Sequence, residues 1–232
     1  METLSLQYPL FRQIAEHSLL VEFGDAISHE IHDRVLGLDR ALNAAPFDGF
    51  RESVPAYAAV LIHFDPLHCD HAQAEIHVRH LLTQGSDFTS ESSAREVEVC
   101  YDGDDVAPDL AAVAQQTGLS TDAVINAHMA GAYDVFMYGF APGCAYLAGV
   151  PQMLHMPRKA AAVRNVAAGS VLIAGPQCLV TTLVMPTGWW IIGRSPTRIL
   201  TGDDNRPFLF DVGDRVTFRR ITRAAYDAGR QA

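Results

Sequence analysis

Residues 169–194 read GSVLIAGPQCLVTTLVMPTGWWIIGR. Short apolar, β-branched or aromatic runs alternate here with Gly-Pro and Pro-Thr-Gly breaks, which predicts strands over 170–174, 179–184 and 189–192. Outward from this core the same pattern recurs at 97–101, 133–138, 208–210 and 215–218. Many short strands separated by Gly, Pro and Asp turns predict a barrel or sandwich. Two helices, 108–117 and 121–128, precede most of them, Gly118 ending one and Ser120 capping the next.

The N-terminal third has a different rhythm. Two strand-like runs lie within 9–23, with His17 in the turn. Ile31, Val35, Leu38 and Leu42 then recur at helical spacing behind Ser28. Strands over 50–54 and 57–64 and a helix over 72–82 follow, an order ββαββα that predicts a small α+β domain with one antiparallel sheet. The polar, small-residue stretch GSDFTSESSA at 85–94 reads as a linker. The expected organisation is an α+β domain over 1–88 and a mainly-β domain over 89–232.

Composition narrows the function. The chain has 232 residues and a formal net charge of −10, which disfavours nucleic acid and anionic membrane as partners. Between Glu96 and Pro157 no lysine or arginine occurs, so the helical hairpin there would bring acids to phosphates and is not a DNA reader. Lys159 is the only lysine among 17 basic residues, which removes a P-loop and a Schiff-base lysine. Arginine supplies the rest, with a planar fork suited to carboxylates and phosphates. There is no basic leader and no apolar run of roughly 18 residues, so a cytoplasmic protein is expected. The four cysteines lack C-x-x-C spacing, which predicts reduced thiols. His68, Cys69, His71, His77 and His80 cluster in sequence with spacing poor for one metal site. No metal is expected.

The informative region is 128–198. His128 falls at a helix C-terminus, where the dipole favours its protonated form. Residues 138–151, YGFAPGCAYLAGVP, form a shaped loop, and Arg158, Arg164, Ser170, Gln177 and Arg194 follow it. One histidine, several arginines, tyrosines and glycine-flanked amides suit the binding and polarising of a carbonyl, carboxylate or phosphate. Capping of barrel ends by Arg158 and Arg194 is an equal alternative. Cys144 in that loop reads as a buried thiol rather than a nucleophile.

FGD at 23–25, VPAY at 54–57, PDL, TGLS, a helix-ending His128, GFAPGCAYLAGVP, PR, AAGSVLIAG, GW, IGRSP and VGDRVTF occur in that order. This succession resembles the KipI family, which includes allophanate hydrolase subunit 1, the B subunit of bacterial 5-oxoprolinase and the corresponding part of urea carboxylase's carboxyltransferase domain. The resemblance runs from about Phe11 to Tyr226. It implies an N-terminal α+β domain and a C-terminal cyclophilin-like β-barrel. It further implies a subunit of an ATP-dependent amidohydrolase, 5-oxoproline to glutamate being the first expectation, inactive alone. Its partners would be a homologous KipA or allophanate hydrolase subunit 2-type chain and, for 5-oxoprolinase, a LamB/YcsF-like subunit. The alternatives are a KipI-like inhibitor of a sensor histidine kinase and a carboxyltransferase component of a urea carboxylase-like system. Carried over by position, the family's motifs mark His128, Arg158 and Arg194 as catalytic. Gly139, Phe140, Pro142, Gly143, Tyr146, Ser170, Gln177 and Trp189 would bind substrate, with Gly188 beside them. Cys144 stands where the family has phenylalanine, QCLVTTLVMPTGW replaces a Q-T-G-I-Y-P run followed by PGGW, and Thr187 replaces a glycine. A change of substrate or a loss of activity would be written at those positions.

Overall fold

In a computed structural model, described over residues 7–84 and 92–230, the chain divides into two compact units, Met1–Glu91 and Ser92–Ala232. The expected boundary at 88/89 and most of the expected linker lie outside the described residues.

The first unit runs β1 (Leu10–Ile14), β2 (Ser18–Glu22), α1 (His29–Ala44), β3 (Phe50–Pro55), β4 (Ala59–Phe64) and α2 (His71–Thr83). Its strands form an antiparallel sheet in the order β1-β2-β4-β3. Alternation in β2 and β4 sends Leu19, Val21, Val60, Ile62 and Phe64 to one face, where they meet Val35, Leu38 and Leu42 of α1 and Ala74, Val78 and Leu81 of α2. Ser28 occupies the N-cap of α1 without a side-chain capping bond. The start of α2 is held more firmly. The Asp70 carboxylate accepts from the Gln73 amide at 2.8 Å and the Gln73 side-chain oxygen accepts from the Asp70 amide at 3.0 Å, a capping box that apolar spacing does not announce.

The second unit contains β5 (Ala94–Val99), α3 (Leu110–Thr117), α4 (Thr121–Met129), β6 (Tyr133–Tyr138), β7 (Ala145–Ala148), β8 (Val163–Val166), β9 (Ser170–Ala174), β10 (Gln177–Val180), β11 (Met185–Thr187), β12 (Trp190–Arg194), β13 (Arg215–Arg220) and α5 (Arg223–Gly229). Seven strands pair in the order β12-β9-β10-β7-β6-β13-β5. The two outer strands meet where Cys100, just past β5, and Arg194, the last residue of β12, exchange both backbone hydrogen bonds at 2.8 and 2.9 Å. The sheet is therefore a nearly closed barrel.

Alternation decides which side chains fill it. Val171 and Ile173 of β9 point inward to Val135, Leu147, Cys178, Val180, Ile192 and Phe218, and Val113, Val124 and Ile125 of α3 and α4 join that core. Leu172 and Ala174 point outward and pack with Leu179, Trp189, Ile191 and Tyr146. The two-stranded ribbon β8-β11 contributes Val166 to this second cluster.

Two expected strands differ. The one at 179–184 ends at Val180, because the Thr181 hydroxyl donates to Ala167 O at 2.8 Å and accepts from the Ser170 amide at 2.9 Å, turning the chain out of the sheet. Residues 208–210 form no strand, only a single bridge from Phe208 to Leu200. β7, β8, β11 and α5 go beyond the sequence pattern; the three strands have only three or four residues each, too short for a period to register.

Candidate functional site

On the outer face of β9 and β10, a cleft of about 120 Å³ is lined by Phe140, Tyr146, Arg158, Leu172, Met185 and Trp189, among others. Its floor is apolar because the outward residues of a barrel strand need cover, and the β8-β11 ribbon covers them only in part. Trp189 is its anchor: Tyr146 meets the indole edge-on at 5.8 Å between centroids, and the Arg158 guanidinium lies 5.7 Å from the ring centre. Burial raises the Tyr146 phenol above its usual pKa, and the nearby Arg158 charge opposes that rise.

The backbone carrying Arg158 is pinned on both sides. Trp190 Nε1 donates to Pro157 O at 2.7 Å, and the Lys159 amide donates to Gly188 O at 2.7 Å. The Lys159 ammonium bonds Asp109 at 2.5 Å, and the same carboxylate accepts from the Ile191 amide at 2.7 Å. The chain's sole lysine thus ties α3, β12 and the arginine segment together. Arg158 itself is exposed and makes no ion pair among the described residues. A preorganised backbone with a free guanidinium over an indole face suits a small carboxylate.

The loop of 139–144 borders this cleft. Phe140 holds a left-handed φ of 70° with 68% of its surface exposed, a strained setting for a large side chain. The Gly139 amide donates to Cys144 O at 3.1 Å and the Cys144 amide to Ala141 O at 3.0 Å. The Gly139 amide, one of the glycine-flanked amides expected to polarise a carbonyl, is consumed inside the loop. Gly143 has φ 70°, and a Cβ there would lie 2.8 Å from Leu200 Cδ2, so this position packs against the barrel instead of admitting a ligand. Pro142 is exposed, and its carbonyl accepts from the Thr182 hydroxyl at 2.7 Å. Cys144 is fully buried, its Sγ 3.3 Å from Thr182 Oγ1.

Of the residues expected to act together, the cleft gathers Phe140, Tyr146, Arg158, Gly188 and Trp189, with Gly139 packed on Tyr146. His128 lies elsewhere. It is fully buried, shares a hydrogen bond of 2.9 Å with the Tyr101 hydroxyl, and stacks 4.4 Å from Phe218. Burial lowers its pKa to about 3, so loss of solvation outweighs the helix dipole that was expected to hold it protonated. Its Nε2 stands 3.7 Å from Cys178 Sγ, a thiol that burial makes harder to ionise. A sealed, neutral histidine of this kind supports the barrel and is not placed to relay a proton to the cleft.

Arg194 ends β12, its backbone closing the barrel and its Nε buried without a hydrogen-bond partner. Ser170 is buried and donates to Ala167 O at 2.8 Å. Gln177 pairs with Ala148 and Ala174 inside the sheet. None of His128, Arg194, Ser170 and Gln177 lines the cleft. The clamp of Asp109, Lys159 and Trp190 has one faint signal in the sequence, a lone lysine next to an arginine, and the expected site residues do not include it. Among the described residues no group of three or more His, Cys, Asp or Glu side chains is placed to hold a metal ion, and no helix is long and apolar enough to cross a membrane.

The sequence profile of the carboxyltransferase domain, subdomain C and D, matches residues 9–210. The chain belongs to this family. The 5-oxoprolinase B subunit of Bacillus subtilis (strain 168) is 30% identical to it over 237 residues, which cover 97% of this chain and 98% of that protein. The crystal structure of TTHA0988 superposes with a TM-score of 0.78 at 32% identity, over 89% of this chain. This chain spans only 40% of that one. The K. lactis urea amidolyase shares the fold, with a TM-score of 0.77 at 18% identity over 94% of this chain and 15% of its own.

Proposed function

We propose that this protein is the B subunit of an ATP-dependent amidohydrolase that opens 5-oxoproline to glutamate, and that it acts only with partner subunits. The observation that carries the reading is the composition of the cleft. It offers a guanidinium, an indole and a phenol, yet no Asp, Glu, His or Cys lines it. Such a site binds and orients an anionic substrate; burial raises the pKa of its one phenol, Tyr146, so a base and an activating group come from elsewhere. A subunit of a larger enzyme fits that division.

The near-complete correspondence with a protein named as the B subunit of 5-oxoprolinase supports the substrate, a compact lactam bearing one carboxylate. In this reading Arg158 takes the carboxylate, Trp189 and Leu172 take the ring, and Phe140 covers it. The partner would be a homologous KipA or allophanate hydrolase subunit 2-type chain, with a LamB/YcsF-like subunit completing hydrolysis. Phe140 at 68% and Val184 at 67% exposure are apolar groups at or beside the cleft that such a partner would bury. At about 120 Å³ the cleft is too small for a nucleoside triphosphate, which needs a site on the order of 300 Å³ or more.

Purification of the chain alone, and with the products of its neighbouring genes, followed by measurement of 5-oxoproline loss with and without ATP tests the proposal. The chain alone should be inactive and the assembly active only with ATP. An inactive complete assembly would overturn it.

A further inference from the structure

A second, larger cleft of about 650 Å³ opens at one end of the barrel, between the turn before β9, the segment after β10, the segment after β12 and the end of α5. It is independent of the Arg158 cleft: no residue lines both. The protein carries 27 acidic and 17 basic residues, yet this cleft is lined by Arg198 and Arg230 and by no Asp or Glu. Six other arginines of the same unit, Arg95, Arg206, Arg215, Arg219, Arg220 and Arg223, are paired with carboxylates. Arg198 and Arg230 make no ion pair among the described residues; the Arg230 guanidinium rests 5.7 Å from the Tyr226 ring centre, beside the cleft.

Hydroxyl donors complete the set. Ser195, 5% exposed, accepts from the Thr197 amide at 3.0 Å, and the Thr197 hydroxyl accepts from the Glu98 amide at 3.2 Å. Each hydroxyl therefore keeps its own hydrogen to donate. Two unpaired guanidiniums and two oriented hydroxyls in a mixed polar and apolar cleft match an oxyanion with several oxygens. The volume falls in the range of sites that hold nucleotide-sized ligands, on the order of 300–1,000 Å³.

We infer that this cleft binds a phosphate-bearing small molecule of nucleotide size. Bound there, the ligand would touch Thr182 and Leu200, the residues that hold Pro142 and Gly143 of the 139–144 loop. The inference does not depend on 5-oxoproline being the substrate of the Arg158 cleft.

Calorimetric titration of the full chain with ATP, pyrophosphate and glutamate at fixed ionic strength is the test. ATP and pyrophosphate should each bind one saturable site and compete with each other, and glutamate should bind at least tenfold more weakly. Arg198→Gln and Arg230→Gln should each weaken ATP about tenfold, as loss of one charged hydrogen bond does. Arg158→Ala should leave ATP binding unchanged, so the result stands whether or not the assembly consumes 5-oxoproline. Both arginines are surface-exposed, so their variants are expected to fold with an unaltered Tm. Absence of saturable ATP and pyrophosphate binding, equal binding by the double variant, or glutamate binding as tightly as pyrophosphate would overturn the inference.

Discussion

Arg158 and His128 both sit in family motifs, but one is exposed on a clamped backbone and the other is sealed among Tyr101, Tyr133 and Phe218. Their variants should fail differently. In the assembled enzyme Arg158→Lys keeps the charge but loses the fork, so KM for the carboxylate substrate should rise about tenfold with kcat less affected. His128 acts through stability. Its folded pKa of about 3 lies below the ordinary 6.5, so the unfolded chain takes up a proton that the folded one refuses. Its contribution is complete above about pH 6.5 and is lost as pH falls toward 3, by up to about 1.4 kcal/mol per unit. Both tryptophans lie in the barrel unit, so urea unfolding followed by their fluorescence measures it. His128→Phe, which cannot titrate, should show a flatter pH profile over that window even if it is less stable throughout; an unchanged profile would count against the assignment.

Among the elements, the turns carry the strain. Gly169, before β9, has φ 80°, and a Cβ there would fall 2.3 Å from Ser195 O. Gly169→Ala should destabilise the barrel by about 2 kcal/mol or more, since the clash is with backbone and the dihedral is unfavourable. Thermal unfolding would show it; an unchanged Tm would mean that the turn relaxes freely. Phe140→Gly should behave oppositely in stability, relieving about 1 kcal/mol of left-handed strain, while KM for the substrate rises because the aromatic cover is gone. A Phe140→Gly protein with both lower Tm and unchanged KM would remove the residue from the site. Those turns also mark the limit of what was legible in the sequence. The helices expected over 108–117 and 121–128 and the strands expected over 133–138, 170–174 and 189–192 match α3, α4, β6, β9 and β12 to within two residues at each end, because apolar spacing and Gly, Ser and Pro breaks agree there. β10 was misplaced because Thr181 and Thr182 look like strand residues and are turned away by their own side-chain bonds. Motif order named Phe140, Tyr146, Arg158 and Trp189, which the fold brings to one cleft. Motif order carries no information on burial, so it does not show that His128 is sealed in the core or that Gly143 packs against Leu200, and the larger cleft escapes it because Arg198 and Arg230 lie 32 positions apart in the chain.

For the whole molecule, family membership, the nearly closed barrel and a cleft lined by no carboxylate, imidazole or thiol fit a component of a larger enzyme. The net charge of −10 leaves the unpaired arginines as isolated positive features on an acidic protein, and anionic small molecules, not nucleic acid, suit them. Everything proposed for the reaction rests on the Arg158 cleft holding the substrate of a multi-subunit amidohydrolase. ATP-dependent 5-oxoproline turnover should therefore be compared between reconstituted assemblies containing either the wild-type chain or Arg158→Ala. Turnover should require this chain and fall at least a hundredfold in kcat/KM with the variant, whose Tm stays that of the wild type. Turnover that persists without the chain, or an Arg158→Ala assembly as active as the wild type, would show that the substrate is held elsewhere.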